Sequence, residues 1–178
     1  MKATINGGHC PGKDSGAVGQ SGLQEAHVTH DVMQGVMYYL QQAGYETLQV
    51  QENELHQITS ASNEFGADLF ISIHCNSATN PEAHGTETFC YRFGGPSEQL
   101  ANCIQNQILK EFDLGDRGTK EGNFAVVRDT NCPAVLIELA FISNADEELL
   151  LADPVMQDKF AAAIARGVTD YVASLQAG

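Results

Sequence analysis

Short apolar runs alternate along the chain with longer segments of helical periodicity. The apolar runs predict six strands, over residues 3–5, 47–50, 69–73, 86–91, 124–127 and 135–139. The periodic segments predict helices over residues 23–43, 54–65, 97–112 and 160–175. Interleaving of this kind is typical of an α/β fold. We therefore expect one domain over residues 1–178, with a mostly parallel twisted sheet of about six strands and helices on both faces.

Composition and charge narrow the class of protein. The 178 residues are 43% hydrophobic and 18% charged, which excludes a disordered chain. A formal net charge of −14 argues against binding nucleic acid through a basic face. The apolar runs reach about half of the ~20 residues that span a bilayer, so we expect no membrane insertion. We also expect a monomer.

The five cysteines form no CxxC pair and are odd in number. A disulfide framework and a thiolate zinc finger are therefore both disfavoured. The first residues do not resemble a secretory signal, because Met1 and Lys2 lead directly into a strand pattern. We expect either another export route or a chain that is one domain of a longer protein.

Glu25 is a charged residue in the apolar stripe of the first predicted helix. Val28, Val32 and Val36 lie on the same side of the helix, and Glu25 lies in its first turn. One interpretation is that the carboxylate only stabilises the helix dipole. The other is that it takes part in a functional site, because a buried carboxylate needs hydrogen bonds or a cation.

Glu138 is the one charge in the apolar run over residues 135–141. An unpaired carboxylate in a central strand costs several kcal/mol or takes up a proton. A buried ion pair with Arg117 or Arg128 is one explanation, and a functional carboxylate at the end of a strand is the other.

His9 and His74 each follow a predicted strand. In open α/β sheets, ligands bind in the crevice beyond the carboxyl ends of the strands, where His9, His74 and Glu138 are expected to meet near Glu25. Two imidazoles and one carboxylate match a catalytic zinc site. Cys10 and Cys75 are alternative nucleophiles, but each adjoins its histidine, and neighbouring residues on a strand point to opposite faces. Packing is the favoured role for both.

Five motifs in this order resemble the type 3 N-acetylmuramoyl-L-alanine amidases, which are zinc-dependent and cut bacterial peptidoglycan. They are Asn-Gly-Gly-His9, Gly22-Leu-Gln-Glu25, Ser-Ile-His74-Cys-Asn76, Gly85-Thr-Glu-Thr-Phe and Pro133-Ala-Val-Leu-Ile-Glu138-Leu-Ala-Phe-Ile-Ser-Asn144. The resemblance runs from about Thr4 to Tyr171. It implies one Zn²⁺ held by His9, Glu25 and His74, with Glu138 as the catalytic carboxylate. It also makes Asn76 and Arg128 candidate substrate-binding residues.

The activity that this resemblance implies is hydrolysis of the amide between N-acetylmuramic acid and L-alanine. Water activated by the metal would attack the carbonyl, with Glu138 as general base and acid. Peptidoglycan would be the partner, and the site of action would be the cell wall, in the periplasm or outside the cell. Two alternatives remain open: another zinc peptidase or deacetylase on the same scaffold, and a peptidoglycan-binding domain without catalysis.

Overall fold

Six strands form a single sheet within residues 1–176, which are the residues that this computed structural model describes. The strands are β1 (Lys2–Gly7), β2 (Glu46–Val50), β3 (Leu69–Asn76), β4 (Thr86–Cys90), β5 (Asp116–Glu121) and β6 (Ala134–Phe141). Their order across the sheet is β2-β1-β3-β6-β4-β5. β4 is antiparallel to β6 and parallel to β5, and the remaining neighbours pair in parallel. The predicted mostly parallel sheet is therefore confirmed.

Helices cover both faces of this sheet, as predicted. They are α1 (Glu25–Gln42), α2 (Leu55–Phe65), α3 (Pro96–Glu111), α4 (Ala125–Arg128), α5 (Ala145–Ala152) and α6 (Pro154–Gln176). The larger core lies under α1, α3 and α6, and the smaller core lies under α2 and α4. No helix within the described residues has both the length and the apolarity to cross a bilayer.

Four elements differ from the sequence-based expectation. Residues 124–127 were predicted as a strand, but α4 is a single helical turn that follows Phe124. The apolar run there is too short for its periodicity to separate a helix from a strand. β5 and α5 were not predicted, and α6 begins at Pro154 instead of residue 160.

The sheet brings the candidate site together through the pairing of its central strands. β1 and β3 are parallel neighbours, so both carboxyl ends lie at the same edge of the sheet. β3 also pairs with β6, which sets His74 directly beside Glu138. The register then shifts between His74 and Asn76, which marks an irregularity of the bulge type at the end of β3.

Candidate active site

His9 follows the end of β1 in an unusual backbone conformation. Its φ of 61° is the one positive value at a non-glycine residue among the described residues. Such a conformation costs of order 1 kcal/mol or more and persists where the surroundings fix it. The neighbouring Gly8 N–H donates to Ile73 O at 2.8 Å, and the Thr29 hydroxyl donates to Gly8 O at 2.7 Å. These bonds fix the backbone just before His9, and the imidazole of His9 lies at the carboxyl ends of the strands.

Asp14 fixes the His9 ring from the outer side. Its Oδ2 lies 2.7 Å from His9 Nδ1, and its Oδ1 accepts from the Gly16 N–H at 3.0 Å. A proton on Nδ1 that is shared with Asp14 leaves Nε2 of His9 free to act as a donor atom. Asp14 was not among the residues that the sequence indicated, although it lies five residues after His9 in the same loop.

Glu25 is the first residue of α1 and is buried, with 3% of its surface exposed. Its Oε1 accepts from the Cys75 N–H at 3.0 Å, and its Oε2 accepts from the Ala17 N–H at 2.8 Å. Burial opposes ionisation of Glu25, but hydrogen bonds from His74 and His9 hold its pKa well below the usual value. Glu25 is therefore a carboxylate that interacts with both histidines, which a role confined to the helix dipole does not explain.

His74 completes a compact cluster with His9 and Glu25. His74 Nδ1 lies 3.0 Å from Glu25 Oε1, and His9 Nε2 lies 3.3 Å from Glu25 Oε2. The two imidazole rings meet edge to face with centroids 5.4 Å apart. One donor atom from each residue lies within 4.8 Å of the other two. The convergence that the sequence predicts at the carboxyl edge is therefore present.

The electrostatics of this cluster favour positive charge. The hydrogen bond to Glu25 raises the pKa of His9 to about 9; partial burial opposes the rise and Asp14 reinforces it. Carboxylates that stabilise an imidazolium in this way also stabilise a cation bound between the same side chains. A proton and a metal ion would therefore compete for His9.

Glu138 lies in the middle of β6 and not at its end as expected, beside this cluster, and it forms no salt bridge among the described residues. Its Oε2 is buried and has no hydrogen-bond partner among the described residues. Burial raises its pKa to about 8, and the charges of Glu25 and Glu87 add to the rise. The ion pair predicted as one explanation is wrong for both arginines, because Arg117 pairs with Glu87 and Arg128 pairs with Asp129.

An apolar cleft of about 320 Å³ opens beside the two histidines. Asn6 and Leu136 line it between α2 and α4, and Leu55 and Phe124 contribute apolar side chains. Asp14 and Glu52 add two acidic side chains to the lining. A substrate in this cleft would contact apolar surface next to the His9–Glu25–His74 cluster.

Two glycines in the vicinity allow the side chains of His9, Glu25 and His74 to approach each other. A Cβ at Gly8 would lie 2.3 Å from Cε1 of His74, and a Cβ at Gly16 would lie 2.6 Å from Oε2 of Glu25. Gly16 also has a φ of +63°. The glycine-rich sequence around His9 was visible, but the reason for each glycine appears only in the tertiary structure.

The remaining candidates lie around this cluster rather than in it. Cys75 is buried in the larger core on the opposite face of β3 from His74, and burial raises the pKa of its thiol well above the usual value. Packing is therefore its role, as favoured. Asn76 donates to Glu87 Oε1 at 2.6 Å. Arg128 on α4 forms two hydrogen bonds with Asp129, and its substrate contact stays a prediction.

The cluster fits a tetrahedral zinc ion by its donor chemistry. Zinc ligands at 2.0–2.2 Å from a tetrahedral ion lie roughly 3.3–3.6 Å from one another. The two histidine–glutamate separations, 3.3 Å to Oε2 and 3.0 Å to Oε1, involve different oxygens of Glu25, and one donor atom from each residue lies within 4.8 Å of the other two. Hydrogen bonds also hold the donor groups in place. Asp14 binds the other nitrogen of His9, and backbone N–H groups donate to both oxygens of Glu25.

A His–Glu–His cluster at the carboxyl edge of an α/β sheet, with an unpaired carboxylate beside it, is typical of metal-dependent hydrolases. The family described as N-acetylmuramoyl-L-alanine amidase matches residues 4–170. This match spans nearly the whole chain, and the chain belongs to the N-acetylmuramoyl-L-alanine amidase family. The resemblance inferred from the sequence motifs is confirmed.

Individual relatives agree with this assignment. The amidase AmiC2 of Nostoc punctiforme is 32% identical, with a TM-score of 0.92 over 97% of both chains. The catalytic domain of CwlV, an amidase from Bacillus (Paenibacillus) polymyxa var. colistinus, is 35% identical, with a TM-score of 0.91 over 97% of this chain and 98% of that domain. AmiA of Escherichia coli strain K12 is 27% identical over 209 residues, which cover 90% of this chain and 72% of AmiA.

Proposed function

We propose that the chain hydrolyses the amide that joins N-acetylmuramic acid to L-alanine in bacterial peptidoglycan. The observation that carries this proposal is the cluster of His9, Glu25 and His74 beside the unpaired Glu138, in a member of the amidase family. An amide resists water because its carbonyl is a weak electrophile and its amine leaves only after protonation. The site has to address both difficulties.

His9, Glu25 and His74 would hold one Zn²⁺ in this proposal. When bound, zinc supplies Lewis-acid chemistry, because it polarises a carbonyl oxygen and lowers the pKa of water to about 7. Asp14 keeps the proton of His9 on Nδ1, and the backbone N–H groups of Ala17 and Cys75 hold the Glu25 carboxylate in place. These contacts fix the donor atoms before the substrate arrives.

Glu138 would move the protons of the reaction. Its Oε2 has no partner among the described residues, so one carboxylate oxygen is available to accept a proton from water and deliver it to the leaving nitrogen. A pKa near the working pH suits a group that both accepts and donates. Burial supplies that shift, while a bound cation would lower the pKa again.

The substrate would place the enzyme at the bacterial cell wall. We further propose that residues 1–178 work as one catalytic domain and as a monomer. Asn76 and Arg128 remain proposed substrate contacts, and the cleft beside His74 is a candidate for part of the substrate path.

Product analysis on purified muropeptides tests the reaction. The zinc-loaded chain should release an intact stem peptide with a free L-alanine amino group, identified by mass spectrometry. A chelator should abolish the release, and added Zn²⁺ should restore it. Release of a single amino acid would indicate a carboxypeptidase, and release of acetate would indicate a deacetylase.

A matched pair of variants separates catalysis from binding. Glu138→Gln should retain peptidoglycan in a pull-down but release little stem peptide. Glu64→Gln, an exposed position on α2, should release it at the wild-type rate. A wild-type chain that binds peptidoglycan and yields no product under zinc would instead be a binding domain.

A further inference from the structure

A second buried carboxylate, Glu87 on β4, gathers polar side chains next to Glu138. Glu87 is 5% exposed, and its Oε2 accepts from Arg117 Nε at 3.0 Å and from the Lys120 ammonium group. Its Oε1 accepts from the Asn76 side chain at 2.6 Å. We call Glu87, Arg117, Lys120 and Asn76 the Glu87 cluster.

The Glu87 cluster carries a net positive charge in a strongly acidic chain. Two cations share one carboxylate, which leaves one formal positive charge, while the whole chain carries −14. The side chains of Arg117 and Lys120 are 38% and 39% exposed, so part of each cationic group faces solvent. The Arg117 guanidinium also lies over the Phe141 ring at 4.8 Å, which restricts its orientation.

The sheet sets the Glu87 cluster at a defined distance from the histidines. His74, Glu138 and Glu87 are register partners on the neighbouring strands β3, β6 and β4, so they occupy one row on the same face. Neighbouring strands lie about 4.8 Å apart, which puts Glu87 roughly 10 Å from His74. The lining of the apolar cleft includes His74 but no member of the Glu87 cluster.

We propose that Arg117 and Lys120 bind a carboxylate of the stem peptide, on the leaving-group side of the scissile amide. This inference rests on the proposed function. The carboxyl group of N-acetylmuramic acid is consumed in the amide, so the glycan side of the substrate offers no free carboxylate. A cationic subsite can therefore serve only the peptide side.

The separation between the histidines and the Glu87 cluster indicates that the carboxylate belongs to the second residue of the stem peptide. One residue spans 3.8 Å between Cα atoms, so a carboxylate on the second residue lies about 7–8 Å from the scissile carbonyl. A charge-assisted hydrogen bond of about 2.8 Å then reaches the cations. The sum is comparable with the separation of roughly 10 Å between the backbones of His74 and Glu87. The cations contact the Glu87 carboxylate, because Arg117 Nε lies 3.0 Å from its Oε2. Glu87 is a positioning residue here, because it holds both cations and makes no substrate contact itself.

The test uses two synthetic disaccharide-tripeptides that differ only at the second residue. One carries a free α-carboxylate there, and the other carries the neutral amide of the same size. The wild-type enzyme should show a kcat/KM about tenfold or more higher for the acid, mainly through KM, because charge-assisted hydrogen bonds discriminate by this factor. Raising the salt concentration should reduce the preference, since both cations are partly exposed.

The Lys120→Met variant should lower this preference to within about threefold. Arg117 still neutralises Glu87 in that variant, and a ratio of two substrates is insensitive to the amount of folded enzyme. Lys110→Met removes a positive charge from an exposed position on α3 and should keep the preference.

Three outcomes are distinct. A wild-type enzyme that cleaves both substrates at equal kcat/KM overturns the carboxylate subsite and leaves the amidase proposal intact. A preference that survives in Lys120→Met assigns the selection to another residue and also overturns it. Failure to cleave either substrate, when the zinc-loaded chain also leaves purified muropeptides intact, rejects the proposed function itself.

Discussion

Replacing Asp14 with asparagine tests whether the loop after β1 positions His9 for the proposed metal ion. Asp14 receives two N–H donors at once, one from His9 Nδ1 and one from the Gly16 backbone. An asparagine has one acceptor oxygen, so its NH₂ group must face one of those two donors. If it faces His9, the ring proton moves to Nε2, which is the nitrogen that points at Glu25. The imidazole then presents a proton where the ion would bind.

The expected loss of zinc affinity follows from this geometry. Changes to the hydrogen-bond partners of metal ligands cost about 10- to 100-fold in affinity. The Asp14 side chain is 45% exposed, so water replaces part of the lost interaction, and we expect the lower end, about tenfold.

The pH of the assay determines whether this loss is visible. Glu25 and Asp14 together raise the pKa of His9 to about 9, so protons compete with zinc at pH 7. Removing the charge of Asp14 lowers that pKa and weakens the competition, which offsets part of the loss. The difference between the two proteins should therefore be largest near pH 9 and smaller at pH 7.

The assay is a competition between the protein and a chromophoric chelator that buffers free zinc. Asp31→Asn is the matched control, because it removes the same charge from an exposed position on α1. Wild-type zinc affinity in Asp14→Asn at pH 9 would refute the role assigned to Asp14. An equal loss in Asp31→Asn would attribute the effect to net charge.

Three further predictions concern the same site. In the wild-type protein, apparent zinc affinity should rise about 50-fold from pH 7 to pH 9. For a His9 pKa of about 9, proton competition weakens zinc binding by a factor of about 100 at pH 7 and about 2 at pH 9. A flat pH profile in the same chelator titration would contradict this. Glu138→Gln should keep zinc affinity within about twofold but lower kcat by about 10²- to 10⁴-fold, measured by release of stem peptide; near-normal turnover would remove Glu138 from the mechanism. Gly8→Ala should lower zinc affinity by about tenfold or more, because the new Cβ would lie 2.3 Å from the His74 ring. Gly95→Ala should not lower it, because no atom of the described residues lies within 4 Å of a Cβ there.

The strands and helices that could be predicted are those that bury an apolar face. The runs that became β3 and β6 are nearly continuous in apolar residues because helices cover both of their faces. β5 has no such pattern, because Asp-Arg-Gly-Thr-Lys-Glu is an edge strand of polar residues and one glycine. α5 is short, but Asn144 accepts from the N–H groups of Asp146 and Glu147, and an Asn-x-x-Glu signal of this kind could have located its start.

The side chains of the proposed metal site could be predicted to meet because each conflicts with its local pattern. Glu25 interrupts an apolar helical stripe, His9 follows β1, and His74 lies near the end of β3 at the same edge of the sheet. Asp14 and Gly8 conflict with nothing locally, since aspartate and glycine are ordinary loop residues. Their roles depend on distances to a ring from another part of the chain, and such distances are fixed only by the tertiary fold.

Glu87 and Glu138 have similar sequence patterns but different surroundings in the structure. Both are charged residues in β-prone runs, both face the same side of the sheet, and they are register partners on β4 and β6. Yet Lys120 and Arg117 counter the burial of Glu87 and lower its pKa, while burial raises the pKa of Glu138 to about 8. One interpretation of the sequence paired Glu138 with Arg117 or Arg128, whereas Arg117 pairs with Glu87 on the neighbouring strand. A carboxylate that is already paired holds its neighbours in position, and one that is left unpaired can exchange a proton with a substrate. The pairing of β5, an edge strand with almost no apolar signal in its sequence, therefore decides which of the two glutamates is paired with cations.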